Sequence, residues 1–221
     1  MELESVRQNL VRMGETTVSL LSEALRAVAE PNPASLEKAS ELESQTDHQH
    51  RLIHDQCLSL ITRQAPVARD ARLITGVLDA IVDLELIGDY GYEMAVLGSS
   101  LGRRPPSQIL AEIARLGAKT QEVLTAAIDC WREEHCGALS VRLPSIRPME
   151  PGIRAECQAL YEKLAKLTSS PGDATAYVDL MLVSRHLERI LRHAVCVSEQ
   201  ARDAMERSAP LPAQPARSTS E

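Results

Sequence analysis

Apolar residues recur along this chain at helical spacing, and prolines and glycines punctuate the runs. Val6, Leu10, Met13, Thr17, Leu20, Leu21, Ala24 and Val28 share one face of a predicted helix that Pro31 and Pro33 bring to a stop. A second helix is predicted from about Ser35 to Arg63. Pro66 separates it from a third and suits a first helical turn, where a missing N–H costs nothing. The third helix carries Leu73, Val77, Ile81, Leu84, Gly88, Gly91 and Ala95 on one face and is expected to end near Gly98. Gly102, Pro105 and Pro106 then form a joint. No segment shows the alternation of a strand.

The pattern then starts again. At an offset of 103 residues Arg12, Gly14, Thr17, Leu21 and Ala24 match Arg115, Gly117, Thr120, Leu124 and Ala127. Leu84, Glu85 and Ile87 match Leu187, Glu188 and Ile190 at the same offset, so chance is a poor explanation. The expected fold class is all-α: two tandem three-helix bundles related by internal duplication, spanning 1–103 and 104–207. The second unit opens with a helix over about Ser107 to Trp131. Pro144, Pro148, Pro151 and Gly152 then fall where its second helix belongs. Proline inside a helix costs about 3 kcal/mol, so residues 137–150 are expected as loop, with the helix restarting near Pro151. Ser170-Pro171 is expected to open the last helix, which runs to about Arg207, and residues 208–221 read as a disordered tail.

Composition narrows the class. Aromatics make up only 2% of the chain and Phe is absent, which suits closely packed helices. A net charge of −7 argues against a general nucleic-acid binder, whose affinity comes largely from neutralising phosphates. The five cysteines, Cys57, Cys130, Cys136, Cys157 and Cys196, include no CxxC pair. They read as buried or incidental thiols, not as a disulfide framework or a zinc site built on Cys130, His135 and Cys136. Met1 is followed by Glu2 and Glu4 and not by a basic, apolar leader, and no stretch is long and uncharged enough to span a membrane. The expected location is the cytoplasm.

Two predicted helices each hold a pair of acids four residues apart: Glu43 with Asp47, and Glu85 with Asp89. That spacing stacks both carboxylates on one helix face. Helix rotation of about 100° per residue puts all four along the edges of the apolar stripes. Carboxylates so placed repel one another and resist desolvation, and a cation relieves both penalties. Helical bundles accommodate such oxygen-ligated metals. Other pairs at this spacing, such as Glu37/Glu41 and Glu199/Asp203, read as solvated faces. His50 and His54 continue the stripe of Glu43 and Asp47 and read as locally hydrogen-bonded histidines, with a place in the metal shell as the alternative. Asp83 is expected to support the site or to pair with Arg69 or Arg72. In the second unit Glu188 is kept, but Arg192 stands where Asp89 would be, and Ile146 and Glu150 stand for Glu43 and Asp47. Arg192 is expected to neutralise Glu188 directly. Arg185, Arg189 and Arg192 share one face, a solvated face or a dock for an acidic partner.

Several of these residues form a familiar segment. Pro66-Val67-Ala68-Arg69-Asp70-Ala71-Arg72-Leu73-Ile74, followed by Asp83-Leu84-Glu85-Leu86-Ile87-Gly88-Asp89, closely resembles the most typical stretch of PhoU proteins. Ser184-Arg185-His186-Leu187-Glu188-Arg189-Ile190, with His193-Ala194, resembles that family's second copy. The resemblance implies two three-helix bundles side by side and a multinuclear metal site on the second and third helices of each unit. Carried over to this sequence, that site is Glu43, Asp47, Glu85 and Asp89, with iron, zinc, manganese or magnesium as the ion. The second site does not transfer, because Arg192 replaces its aspartate.

The resemblance further implies a non-enzymatic, negative regulator of phosphate uptake and the phosphate-starvation response. Its partners would be the ATPase of the Pst phosphate transporter and a PhoR-type sensor kinase, and its assembly a homodimer. Neither a nucleophile–base arrangement nor a phosphate-cradling glycine loop is found to suggest an enzyme. Two other readings stand beside it. One is a carboxylate-bridged metal enzyme of ferritin-like type, for which Asp47-x-x-His50 supplies a single acid-x-x-His element. The other is a metal-free helical scaffold.

Overall fold

The computed structural model describes residues 2–64, 67–102, 105–132, 146–168 and 174–205. These form helices α1 (Glu2–Ala29), α2 (Pro33–Gln64), α3 (Ala68–Ser99), α4 (Ser107–Arg132), α5 (Met149–Leu167) and α6 (Ala174–Met205). No strand occurs among the described residues. All eight residues that mark the face of α1 are buried, as are Val77, Ile81, Leu84, Gly88, Gly91 and Ala95 of α3. The Asn32 side-chain oxygen accepts the Ala34 N–H at 3.0 Å at the start of α2, where Pro33 takes the first helical position.

Helices α1, α3, α4 and α6 close a ring, with α1 packed on α3 and α4, and α6 packed on the same two. α2 lies against α1 and α3, and α5 lies mainly against α6. One continuous apolar core therefore runs through both halves of the chain. The contact between α3 and α6 is the most extensive of all, so the second half is built onto the first through its third helix. No helix is long and apolar enough to cross a membrane among the described residues.

Two helix ends fall close to the glycine and proline that mark them in the sequence. α3 ends at Ser99, one residue past Gly98. The role of Gly98 is steric: a Cβ there would lie 2.6 Å from the backbone nitrogen of Val28, so α1 and α3 touch backbone to backbone. α5 begins at Met149, so residues 149 and 150 of the anticipated loop are helical. Pro151 sits in the first turn, where its missing N–H has no helical partner to lose. The rest of that loop up to residue 145 lies outside the described residues, as does the tail from 206. α6 opens at Ala174, and Ser170-Pro171 also lie outside.

Asp83 does not pair with Arg69 or Arg72. It points across the α3/α6 contact, where His193 Nδ1 lies 2.7 Å from one carboxylate oxygen and Gln200 Nε2 donates to the other at 2.6 Å. Tyr90 fills the next turn of the seam, its ring 5.6 Å from that of His186 and 5.9 Å from that of His193. Truncating Asp83 to alanine strips both partners at once. A half-buried donor left without its acceptor costs about 1–3 kcal/mol, so Asp83→Ala is expected to lower the urea midpoint clearly. A double-mutant cycle with His193→Ala should show coupling, because the two single losses share one interaction.

Candidate metal centre

The site begins with two small residues. Gly88 of α3 faces Thr46 of α2 so closely that a Cβ on Gly88 would lie 3.3 Å from the Thr46 methyl carbon. Thr46 is buried and turns its hydroxyl back onto the Leu42 carbonyl at 2.9 Å, so no polar group is stranded at the contact. The next residue on each helix is an acid: Asp89 after Gly88, Asp47 after Thr46. The seating of the Thr46 side chain against Gly88 is what brings those carboxylates together. Glu43 joins them from one turn earlier on α2.

Glu43, Asp47 and Asp89 each present a carboxylate oxygen within 4.8 Å of the others. Both α2 acids are half-buried. Burial, followed by the charges of Asp47 and Asp89, raises the carboxyl of Glu43 above its ordinary range. Burial, then Glu85, Asp47 and Glu93, does the same for Asp89. The trio is thus electrostatically frustrated, and an oxygen-seeking cation would relieve it. Three carboxylates form a hard donor set that suits magnesium, manganese and iron, and zinc also accepts oxygen ligands.

Glu85, the fourth acid expected at the site, is near enough to act on Asp89 but stands outside the trio. Its carboxylate lies 3.4 Å from His50 Nδ1. His54 turns toward its neighbour Asp55 at 3.6 Å, and the two imidazole rings are 6.4 Å apart. The expectation of two half-buried, locally hydrogen-bonded histidines is thus corrected: His50 reaches across to α3, and His54 is exposed. The contribution the sequence reading missed is that of Thr46. The signal was a small residue on α2 lying opposite the Gly88 of α3.

The raised carboxyls set a sign for pH dependence. The folded, metal-free protein holds protons on Glu43 and Asp89 more tightly than the unfolded chain does. Their contribution is therefore most favourable at low pH and is lost as pH rises through and above the ordinary carboxylate range. Urea midpoints of metal-free wild type should carry this downward component, and Glu43→Gln/Asp89→Asn should lack it. Identical pH profiles for the two proteins would contradict the electrostatics described here.

The second half of the chain departs from this arrangement. Arg192 does not neutralise Glu188; Arg185 does, its Nη1 2.7 Å from Glu188 Oε2 and its guanidinium 4.3 Å over the Tyr161 ring. An arginine three residues earlier on the same helix reaches the acid, and the α5 tyrosine holds it there. Glu156 of α5 is tied to Arg115 and Lys119 of α4, which lower its carboxyl. Cys57, Cys130 and Cys157 are buried, and burial pushes the Cys157 thiol up to about 12. His135 and Cys136 lie outside the described residues.

Two tandem helical bundles with a carboxylate cluster between the second and third helices of the first define a class of duplicated helical proteins. The sequence model of the PhoU domain matches residues 10–97. A PhoU homologue of the phosphate-specific transport system from Synechocystis sp. is 30% identical over 198 residues, covering 90% of this chain and 87% of that protein. The homologue from Pseudomonas aeruginosa is 27% identical over 203 residues, covering 90% and 81%. The chain belongs to the PhoU family. Its fold agrees with the crystal structure of PhoU from Pseudomonas aeruginosa at a TM-score of 0.83 and 24% identity, covering 90% of this chain and 95% of the other. It agrees with a phosphate transport system regulatory PhoU from Streptococcus pneumoniae at 0.80 and 18%, covering 90% and 93%.

Proposed function

We propose that this chain is a cytoplasmic, non-enzymatic negative regulator of phosphate uptake. In this reading it is a metal-binding adaptor between the Pst transporter ATPase and a sensor histidine kinase. The observation that carries the reading is similarity along 90% of the chain to a protein named as an accessory of the phosphate-specific transport system. The carboxylate trio supports the metal part of the proposal, with Glu43, Asp47 and Asp89 as ligands and Glu85 beside them. A cation there would join α2 to α3 and stiffen the outer face on which partners can assemble. The kinase, the homodimer and the division at residue 103 rest on the family resemblance and the repeat.

The test is genetic and direct. In a host strain lacking this chain, a phosphate-starvation reporter should be active even in ample phosphate. Restoring the wild-type chain should silence it. Co-purification should return the transporter ATPase and a histidine kinase. A reporter indifferent to the chain, together with a pull-down lacking both partners, would end this reading. The ferritin-like alternative has no observation in its favour, since His50 faces Glu85 and takes no part in the trio.

A further inference from the structure

The two halves of the chain differ most in charge along their third helices. Where α3 offers Glu85 and Asp89 toward α2, α6 offers Glu188 and Arg192. Glu188 is satisfied by Arg185, so Arg192 is not needed to balance it. Nearby cations are also spoken for: Arg147 pairs with Glu199 at 2.8 Å and Arg154 with Glu150 at 3.7 Å. Arg189 and Arg192 are exposed, and neither forms an ion pair with the described residues. Arg189 lies 5.3 Å over the Tyr90 ring, a contact that orients the guanidinium without neutralising it.

The same stripe of α6 continues toward its N-terminus as apolar surface. Val178 is 45% exposed and Leu182 44% exposed. Positions 178, 182, 185, 189 and 192 follow one another at intervals of four and three, so they form a single line on the outer face of the helix. At 1.5 Å per residue that line is about 21 Å long. It is apolar at one end and cationic at the other.

We propose that this stripe docks an acidic amphipathic segment of a partner protein, with apolar side chains on Val178 and Leu182 and carboxylates on Arg189 and Arg192. Arginine suits the task because its planar fork binds a carboxylate through two hydrogen bonds. The molecule's overall charge of −7 selects among anions. A nucleic acid or an anionic membrane presents charge to the whole protein and meets net repulsion. A short acidic segment responds to charges within a Debye length, about 8 Å at physiological salt. The exposed apolar pair gives such a segment a purchase that a free small anion cannot use. This goes beyond the proposed adaptor role: it fixes the chemistry of one partner surface, and it holds whether or not the first half binds metal.

The test uses the full chain carrying a photo-crosslinking phenylalanine at position 182, expressed in its host, with the same residue at exposed Leu52 on α2 as the control surface. Crosslinks from position 182 should map to an acid-rich segment of one partner. Their yield should fall at least tenfold in Arg189→Glu/Arg192→Glu, and less steeply in Arg189→Gln/Arg192→Gln. Exchanging acids of the mapped segment for arginine should restore crosslinking to the double Glu variant. Circular dichroism and gel filtration establish that each variant is folded. If only the Gln pair folds, its loss of yield is the deciding measurement. Yield at 182 no greater than at 52, indifference to the substitutions, or a mapped segment without acids would each overturn the proposal. So would Arg-dependent binding of the purified chain to phosphatidylserine vesicles in place of a protein segment.

Discussion

Asp89→Asn is expected to abolish stoichiometric metal retention, and to make the metal-free protein more stable than the wild type. The two signs follow from one cause. Asp89 is the only member of the trio supplied by α3, so without its charge the α2 acids have no partner across the helix contact. Its carboxyl is already raised by burial and by Glu85, Asp47 and Glu93, so ionising it works against the fold when no cation is present. Asparagine keeps the shape and removes that penalty. In the wild type, a metal at a hundred times its dissociation constant adds about 2.7 kcal/mol. For a chain of this size that raises the melting temperature by roughly 5–10 °C. Elemental analysis and melting curves with and without a chelator check both signs. The shift on metal addition should vanish in Asp89→Asn, while its chelated form melts above the chelated wild type. Metal content equal to wild type in Asp89→Asn would place the ion elsewhere. An unchanged chelated melting point would show that the repulsion is relieved by water and counterions.

The helices were legible because burial leaves a period in the sequence. Each residue marking the inner face of α1 is buried in the fold, and the acid pairs lie at the edge of the stripe where rotation placed them. The breaks around Pro31 and Pro33 were visible for the same kind of reason, since proline is a local constraint. What the sequence hid were relations between helices. Gly98 marks the end of α3 as its place suggested, but only the fold shows that Val28 passes so near it. Asp83 had arginines within a few turns, but its partners, His193 and Gln200, lie 110 and 117 residues away. Glu85 and Asp89 looked equivalent at a spacing of four. One helical turn was enough to send Glu85 to His50 and Asp89 to the α2 acids. In the second half, Arg192 looked like the natural partner of Glu188 by its place in the repeat. Arg185 won because Tyr161 holds it over the acid. Periodicity reports which way a side chain faces, whereas choice among several possible partners depends on inter-helix register.

Trp131→Ala is expected to be the most destabilising single change in the molecule. Trp131 is the chain's one tryptophan and is fully buried. It stands near the end of α4, and its indole N–H donates to the Val197 carbonyl of α6 at 2.9 Å. Its own carbonyl accepts from the Arg7 guanidinium of α1. Its ring also reaches α3, where a Cβ on Gly76 would lie 3.4 Å from the ring edge. The side chain therefore ties α4 to two of the other ring helices, α6 and α3, while the backbone of the same residue holds α1. Removing a buried tryptophan costs about 3–5 kcal/mol, because the cavity collapses only in part. Against a typical total of 5–15 kcal/mol, this is a large share, and a fall in melting temperature of about 10–15 °C is expected. Trp131→Phe separates packing from hydrogen bonding: it keeps much of the ring volume but strips the donor from Val197, and should lose about 1–3 kcal/mol. Circular dichroism follows both variants, and wild-type indole fluorescence reports opening of the four-helix junction. A Trp131→Ala protein melting within about 3 °C of wild type would mean that the two halves do not depend on this junction. Each would then have to hold its own core, and the α3/α6 seam would carry the union alone.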